Sequence, residues 1–401
     1  MDEPALHYLD NNATTMPAPE VVEAMMPFFT ERWGNASSMY EFGGRVHRDM
    51  EAARAKVAAL LGAASPSEVV FTSCGSESDN HAIFGTVQAL GPETTVITSK
   101  VEHPAVLQPC RALEERGHRV VYIGVHRDGT LDLEAYRDAL AIPGPKLVTL
   151  MWANNETGVL FPIRECAELA KAAGAVFHTD ATQAVGKVAQ IDASAVPFDM
   201  LSFSGHKIHA PKGVGALYIR RGTPVRPFLL GGHQERSRRA GTENIPYIVG
   251  LGKACELAAA ELRDGTLGRV AALRDRLQEG LLAIPETVVN GNRELRLPNT
   301  LNVSFPYIEG EAMLYHLGDR GICASSGSAC TSGSLEPSHV LRAMDAPFTA
   351  LHGSLRFSLS RYTTGEDVDA VLEAMPGIVK TLRELSPFGR GEEPEDPGAA
   401  R

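Results

Sequence analysis

Within the stretch DMLSFSGHKIHAPKGVGALYIR, Asp199 to Arg220, an apolar run Met200 to Phe203 leads into Ser204-Gly205-His206-Lys207. After Pro211-Lys212-Gly213 a second apolar run extends from Val214 to Ile219. That pattern reads as two strands joined by a loop. A lysine at the end of a buried strand has little water around it, so its amine releases its proton more readily and becomes a nucleophile. Ser204 and His206 beside it can donate to a phosphate, and Gly205 lets the backbone come close. A Schiff-base lysine next to a phosphate cup is what pyridoxal phosphate requires. By itself the tetrapeptide is more often a loop with a solvated lysine, so the reading depends on what else the fold brings to the same place.

Two more residues stand out by type and setting. Cys330 lies in CASSGSACTSGSLEP, from Cys323 to Pro337, where so many small residues cannot build a core and predict a mobile loop. A reactive thiol and an incidental thiol in a spacer both fit that position. Arg356 sits in Leu355-Arg356-Phe357-Ser358-Leu359, a strand in which a charge must meet an anion. That anion is either a substrate carboxylate gripped at two points or an internal salt-bridge partner. The remaining cysteines, 74, 110, 166, 255 and 323, form no CxxC pair. Neither a zinc site nor a disulfide framework follows, and most of them read as packing residues in a reducing compartment.

Alternating short strands and helices position these groups. Strands are predicted over 69–72, 94–98, 120–125, 146–152 and 175–179, with helices over 76–90, 104–116, 131–141 and 162–173. The alternation implies a largely parallel, doubly wound sheet, whose ligands sit at the carboxyl ends of its strands. Strand 69–72 is followed by Ser73-Cys74-Gly75-Ser76-Glu77-Ser78, where amides at a helix N-terminus can hold an anion. Strand 94–98 is followed by His103, and strand 146–152 by the polar loop Asn154 to Gly158. Strand 175–179 leads to Asp180 and Gln183, and strand 200–203 to Lys207. Singly, Ser76 and Asp180 read as helix caps and His103 as a turn residue. Together they converge on one sheet edge. Upstream, Val21, Met25 and Phe29 have helical spacing that Pro27 distorts, and a helix repeating from Val46 to Leu60 stops at Gly62. Asn35, in the loop between them, either faces a ligand or caps the following helix.

The 401 residues allow more than one well-buried core. A large domain is assigned to 17–260, a smaller α+β domain carrying the Cys330 loop to 261–388, and a disordered acidic tail to 389–401. Residues 1–16 are expected to associate with the smaller domain. In that second region helices are predicted over 247–263, 267–283 and 366–385, and strands over 300–304 and 354–359. A net charge of −11 argues against nucleic acid as a partner. No apolar run approaches membrane-spanning length, and the acidic start MDEPALHYLD lacks the features of a signal peptide, so a cytoplasmic protein is expected.

With these residues assembled, the sequence resembles the cysteine desulfurases, most closely their NifS-like nitrogen-fixation and iron–sulfur branch. The stretches that carry the likeness are YLDNNATT, EVVFTS, EHPAV, NNETG, HTDATQAVGK, SFSGHKIHAPKGVGALY, RAGTENIP, SSGSACTSGSLEPSHVLRAM and LRFSLSRYTT. The resemblance implies the pyridoxal-phosphate fold type I, with a mostly parallel seven-stranded sheet in the large domain. It implies that Lys207 carries the cofactor, Asp180 pairs with the ring nitrogen, Gln183 bonds the ring hydroxyl and His103 stacks on the ring and moves protons. Gly75, Ser76, Ser204 and His206 would hold the phosphate, with Thr242 reaching across from the second subunit of a homodimer. Asn35, Asn155 and Arg356 would orient the carboxylate of L-cysteine, which becomes L-alanine as Cys330 collects the sulfur as a persulfide. An iron–sulfur scaffold protein, NifU-like or general, would then receive it. Serine at 76, where threonine is frequent, alanine at 36 for proline and Cys74 for glycine are the departures, and none touches the chemistry. The alternatives are another enzyme of this fold, such as a selenocysteine lyase or an aminotransferase, and a scaffold without catalysis.

Overall fold

The computed structural model describes residues 4–189, 191–326 and 337–386. Cys330 and the tail 389–401 lie outside the described residues. The strands, in chain order, begin with β1 (His7–Tyr8), β2 (Val69–Thr72), β3 (Thr95–Ser99), β4 (Val120–Ile123), β5 (Lys146–Met151) and β6 (Val176–Asp180). They continue with β7 (Met200–Ser204), β8 (Gly215–Ile219), β9 (Val288–Val289), β10 (Thr300–Ser304), β11 (Ile322–Cys323), β12 (Ser325–Ser326) and β13 (Ser354–Ser358).

One seven-stranded sheet has the order β2-β8-β7-β6-β5-β3-β4. Neighbours from β7 to β4 pair in parallel, while β8 runs antiparallel to both β7 and β2. All the strands except β8 therefore point the same way and present their carboxyl ends along one edge. Successive residues go to opposite faces, as the twofold repeat of a strand requires. Ile97, Val148, Phe177, Leu201 and Tyr218 enter the core on one face, and Val96, Leu147, Val176, Met200 and Leu217 the core on the other. Both faces being covered, these strands are apolar along their length rather than alternating.

A second, four-stranded sheet, β12-β13-β10-β9, builds its own core with the helices Thr266–Leu282 and Gly365–Leu385. The N-terminal segment pairs with this part. β1 pairs in parallel with β11, Asp10 bridges to Ser358, and Leu9 is fully buried in the second core.

Most predicted elements recur within one or two residues, and the differences have physical causes. Pro27 divides the first helical stretch into Pro19–Met25 and Pro27–Thr30. The break shifts the phase, so Phe28 is buried and Phe29 is 51% exposed, the reverse of the expected stripe. The helix read from Val46 starts at Glu41, and its glycines hid the first turn. A Cβ at Gly43 would come within 2.6 Å of the Asn35 carbonyl, so glycine is what lets the helix pack on that loop. The helices Gly310–Gly318, His339–Ala343 and Phe348–His352 and the two-residue strands were not legible. No helix among the described residues is long and apolar enough to cross a membrane.

Candidate active site

The parallel carboxyl ends and the N-terminal segment enclose a cleft of about 380 Å³. Gly75, Ser76, His103, Asn155, Asp180, Gln183, Ser204, His206, Lys207 and Arg356 all line it. Asn35 and Thr242 are not among its lining residues; both are exposed, and Asn35 Oδ1 accepts from the Ser37 amide at 2.8 Å in a local turn.

At one end of the cleft β2 passes into the helix Gly75–Leu90, whose N-cap Cys74 makes no side-chain capping bond. The first-turn amides are thus left to an anion, and the helix dipole favours one there. The turn is pinned by Thr72 Oγ1, 2.8 Å from Ser78 Oγ. A Cβ at Gly75 would lie 3.1 Å from Thr182 Oγ1 and 3.5 Å from Ser204 Cβ, partly filling the cradle. Glu77, in the first turn, would repel an anion, but Arg239 Nε binds its Oε1 at 2.8 Å. Burial pushes the Glu77 carboxyl up, yet Arg239 and the Ser73 amide together hold it below its usual value. His206 Nδ1 lies 3.1 Å from Thr14 Oγ1, and the ring is neutral, at about 4, through loss of water and the nearby lysines. A neutral imidazole accepting at Nδ1 keeps an Nε2–H to donate. These groups fit a phosphate.

At the other end Asp180, buried at the tip of β6, accepts the Thr182 amide at Oδ1, 2.8 Å. Among the described residues Oδ2 has no partner, which suits a protonated ring nitrogen. His103 caps the helix Pro104–Glu115, its Nδ1 accepting from the Ala105 amide at 3.1 Å. A backbone amide only donates, so in the neutral ring the proton is on Nε2. Loss of water holds His103 below the usual imidazole value, against the pull of Asp180 and aided by Lys207 and His339.

Lys207 closes the short 3₁₀ turn Gly205–Lys207 that follows β7. Its Nζ donates to the carbonyls of Asn12 at 2.5 Å and Ala13 at 2.6 Å. Loss of water and then the charge of Arg356 bring its proton affinity down to about 8, against Asp10 and Asp180. Arg356 has the internal salt-bridge partner that one of its two readings expects. Its guanidinium pairs with Asp10 Oδ1 at 2.7 Å and donates to the Asn155 carbonyl at 3.0 Å, and it still lines the cleft. Asn154 shapes the loop that carries Asn155, its Oδ1 accepting the amides of Glu156 and Thr157 at 2.9 Å each.

Residues 7–371 match the Aminotransferase class-V family. The chain is 57% identical over 386 residues to a cysteine desulfurase of Trichormus azollae, covering 96% of each. It is 56% identical over 395 residues to the cysteine desulfurase NifS of Azotobacter vinelandii, covering 98% of each. Among solved structures a NifS-like protein superposes with a TM-score of 0.86 at 37% identity, covering 95% of this chain and 99% of that one. The chain belongs to the aminotransferase class-V family, in its cysteine desulfurase branch.

Sequence reasoning about this class-V chain missed several residues of the cleft. Asn12 and Ala13 hold Lys207 through backbone carbonyls, which no side-chain pattern reports. Asp79 lines the cleft although 1% exposed, its Oδ1 3.7 Å from His178 Nε2 and without a hydrogen bond among the described residues. Burial and then Asp180 push its carboxyl well above the usual range. Its signal was spacing, because Asp79 is four residues after Gly75 and so shares the helix face that lines the cleft. Glu102 is buried behind the cleft, accepting from Ser99 Oγ at 2.6 Å and the Met151 amide at 3.0 Å, and burial raises it to about 8. Of the cysteines, 110, 166 and 255 are buried packing residues.

Proposed function

We propose that this chain is a pyridoxal-phosphate enzyme that converts L-cysteine to L-alanine and passes the sulfur, as a persulfide on Cys330, to an iron–sulfur scaffold protein. The observation that carries the reading is one cleft holding an amine of lowered proton affinity, Lys207, an anion cradle and a buried carboxylate, Asp180. The bound cofactor supplies an electron sink for the substrate's Cα. Gly75, Ser76, Ser204 and His206 hold its phosphate, Asp180 takes the hydrogen bond of its ring nitrogen, and Gln183 donates to its ring hydroxyl. Lys207 would hold the cofactor and, with His103, would move the proton at the substrate's Cα. Arg356 and Asn155, with Asn35, orient the substrate carboxylate. Cys330 attacks the substrate sulfur as the carbon–sulfur bond breaks. Thr242 serves the phosphate site of a second copy in a homodimer, and the enzyme works in the cytoplasm on a NifU-like or general scaffold.

The purified chain, incubated with L-cysteine and a reductant, is expected to release sulfide and alanine rather than a keto acid. Cys330→Ala should abolish alanine formation and keep the visible band of bound cofactor, whereas Lys207→Ala should lose that band. Alanine formation by the Cys330→Ala chain, or an unchanged spectrum for Lys207→Ala, refutes the assignment.

A further inference from the structure

The roles above leave Lys187 without one, although it lies four residues beyond Gln183 in the turn that follows Asp180. Its Nζ donates to Gln183 Oε1 at 3.2 Å, and among the described residues it joins no ion pair. Gln183 Nε2 in turn donates to the Asn12 carbonyl at 2.9 Å, the same oxygen that accepts from Lys207 at 2.5 Å. A carbonyl only accepts, so the contact with Asn12 sets Nε2 on that side and leaves Oε1 facing the Lys187 amine. Turning the amide over would set oxygen against oxygen at Asn12 and forfeit the bond that Lys187 donates to Oε1. Nε2 has two hydrogens, and only one is used by Asn12. Lys187 does not line the cleft; it lines a smaller cavity of about 40 Å³ behind it, shared with Lys207 and Arg361. It acts on the cleft through Gln183.

We propose that Lys187 is a positioning residue. Through Gln183 Oε1 it holds the carboxamide so that Nε2 offers its second N–H to a ligand oxygen bearing negative charge, the ring hydroxyl of pyridoxal once its proton is lost. The proposal rests on the cofactor reading above for the identity of that oxygen, but not for the orientation of the amide. Lys187 also steadies Asn12, whose carbonyl holds Lys207, so one side chain sets both the donor in the wall and the resting place of the reactive amine.

The test uses the full chain with Lys187→Met, Lys187→Arg, Gln183→Leu and the double variant, each compared by melting temperature to establish folding. In cofactor-free protein the side-chain amide signal of Gln183, identified by its loss in Gln183→Leu, is followed by nitrogen NMR. Lys187→Met should lower its protection from solvent exchange about tenfold, the scale of one hydrogen bond, and Lys187→Arg should restore it. For pyridoxal phosphate binding, Lys187→Met should raise Kd about tenfold and add nothing on the Gln183→Leu background. Unchanged protection in Lys187→Met, or a Kd effect that adds in full to that of Gln183→Leu, overturns the proposal. If wild-type protein binds no pyridoxal phosphate, the cofactor reading fails, and the exchange measurement alone decides whether Lys187 orients Gln183.

Discussion

The amine of Lys207 offers the most direct measurement. An ordinary lysine titrates near 10.5, and this one, short of water and facing Arg356, sits at about 8. At pH 7 the neutral fraction is then roughly one in ten instead of one in three thousand, so free amine is enriched about 300-fold. Only the neutral amine attacks a carbonyl or an acylating reagent. In cofactor-free protein, trace acetic anhydride with mass spectrometry of the Lys207 peptide should therefore give a labelling rate that rises with pH and levels off near 8. Surface lysines in the same sample should still be rising. The neighbours set the sign of further changes. Arg356→Met removes a repelling charge and should move the midpoint up, whereas Asp10→Asn removes an attracting one and should move it down. A wild-type midpoint near 10.5, or one that neither substitution moves, would refute the claim that burial and Arg356 together prepare this amine.

Two more outcomes test the frame around the site. Arg54, 1% exposed, binds Glu235 through two nitrogens at 2.6 and 2.8 Å, and Glu235, Arg236 and Ser237 all have left-handed backbone, with φ of 48°, 59° and 62°. Arg54→Met strands a buried carboxylate and should cost about 3–5 kcal/mol, most of it recovered by adding Glu235→Gln; denaturant unfolding that finds the double variant as unstable as the sum of the singles would contradict this. Glu102, raised by burial from 4.5 to about 8, holds its proton more tightly folded than unfolded. Wild-type stability relative to Glu102→Gln should thus be highest below about pH 4.5 and fall as pH rises to 8. Thermal melts at pH 5 and pH 9 check it, and a gap that fails to widen in favour of the variant excludes a buried neutral acid.

What was readable in the sequence was whatever follows from local spacing. The strands β2, β5, β6 and β10 are buried at every position and so appear as short runs between glycines and polar turns, which is why they and the lip residues His103, Asp180 and Lys207 were legible. The unread parts depend on distant neighbours. Asp79 and Glu102 are acids in ordinary helix and turn settings until other elements cover them. Phe28 and Phe29 exchange places because Pro27 restarts the helix, and a periodic count does not register a break of one residue. Short elements such as Ser325–Ser326 exist only because β13 lies beside them. Lys187 carries no local signal of its own, because its contact is with one carboxamide whose orientation no sequence pattern encodes.

The N-terminal segment explains how two cores make one site. Within six residues Leu9 is buried in the second core, Asp10 holds Arg356 of β13, and the carbonyls of Asn12 and Ala13 and the hydroxyl of Thr14 reach Lys207 and His206 of the first. Asn12 also ties Asn155 and Thr300 through its side chain at 3.1 and 2.9 Å. A shift of the smaller sheet by an ångström would therefore move Arg356 and the acceptors of the lysine amine together. The Arg356 guanidinium and the Lys207 amine are in this way mechanically one arrangement, and this is the physical reason why a chain segment with so little secondary structure of its own is held by so many buried hydrogen bonds.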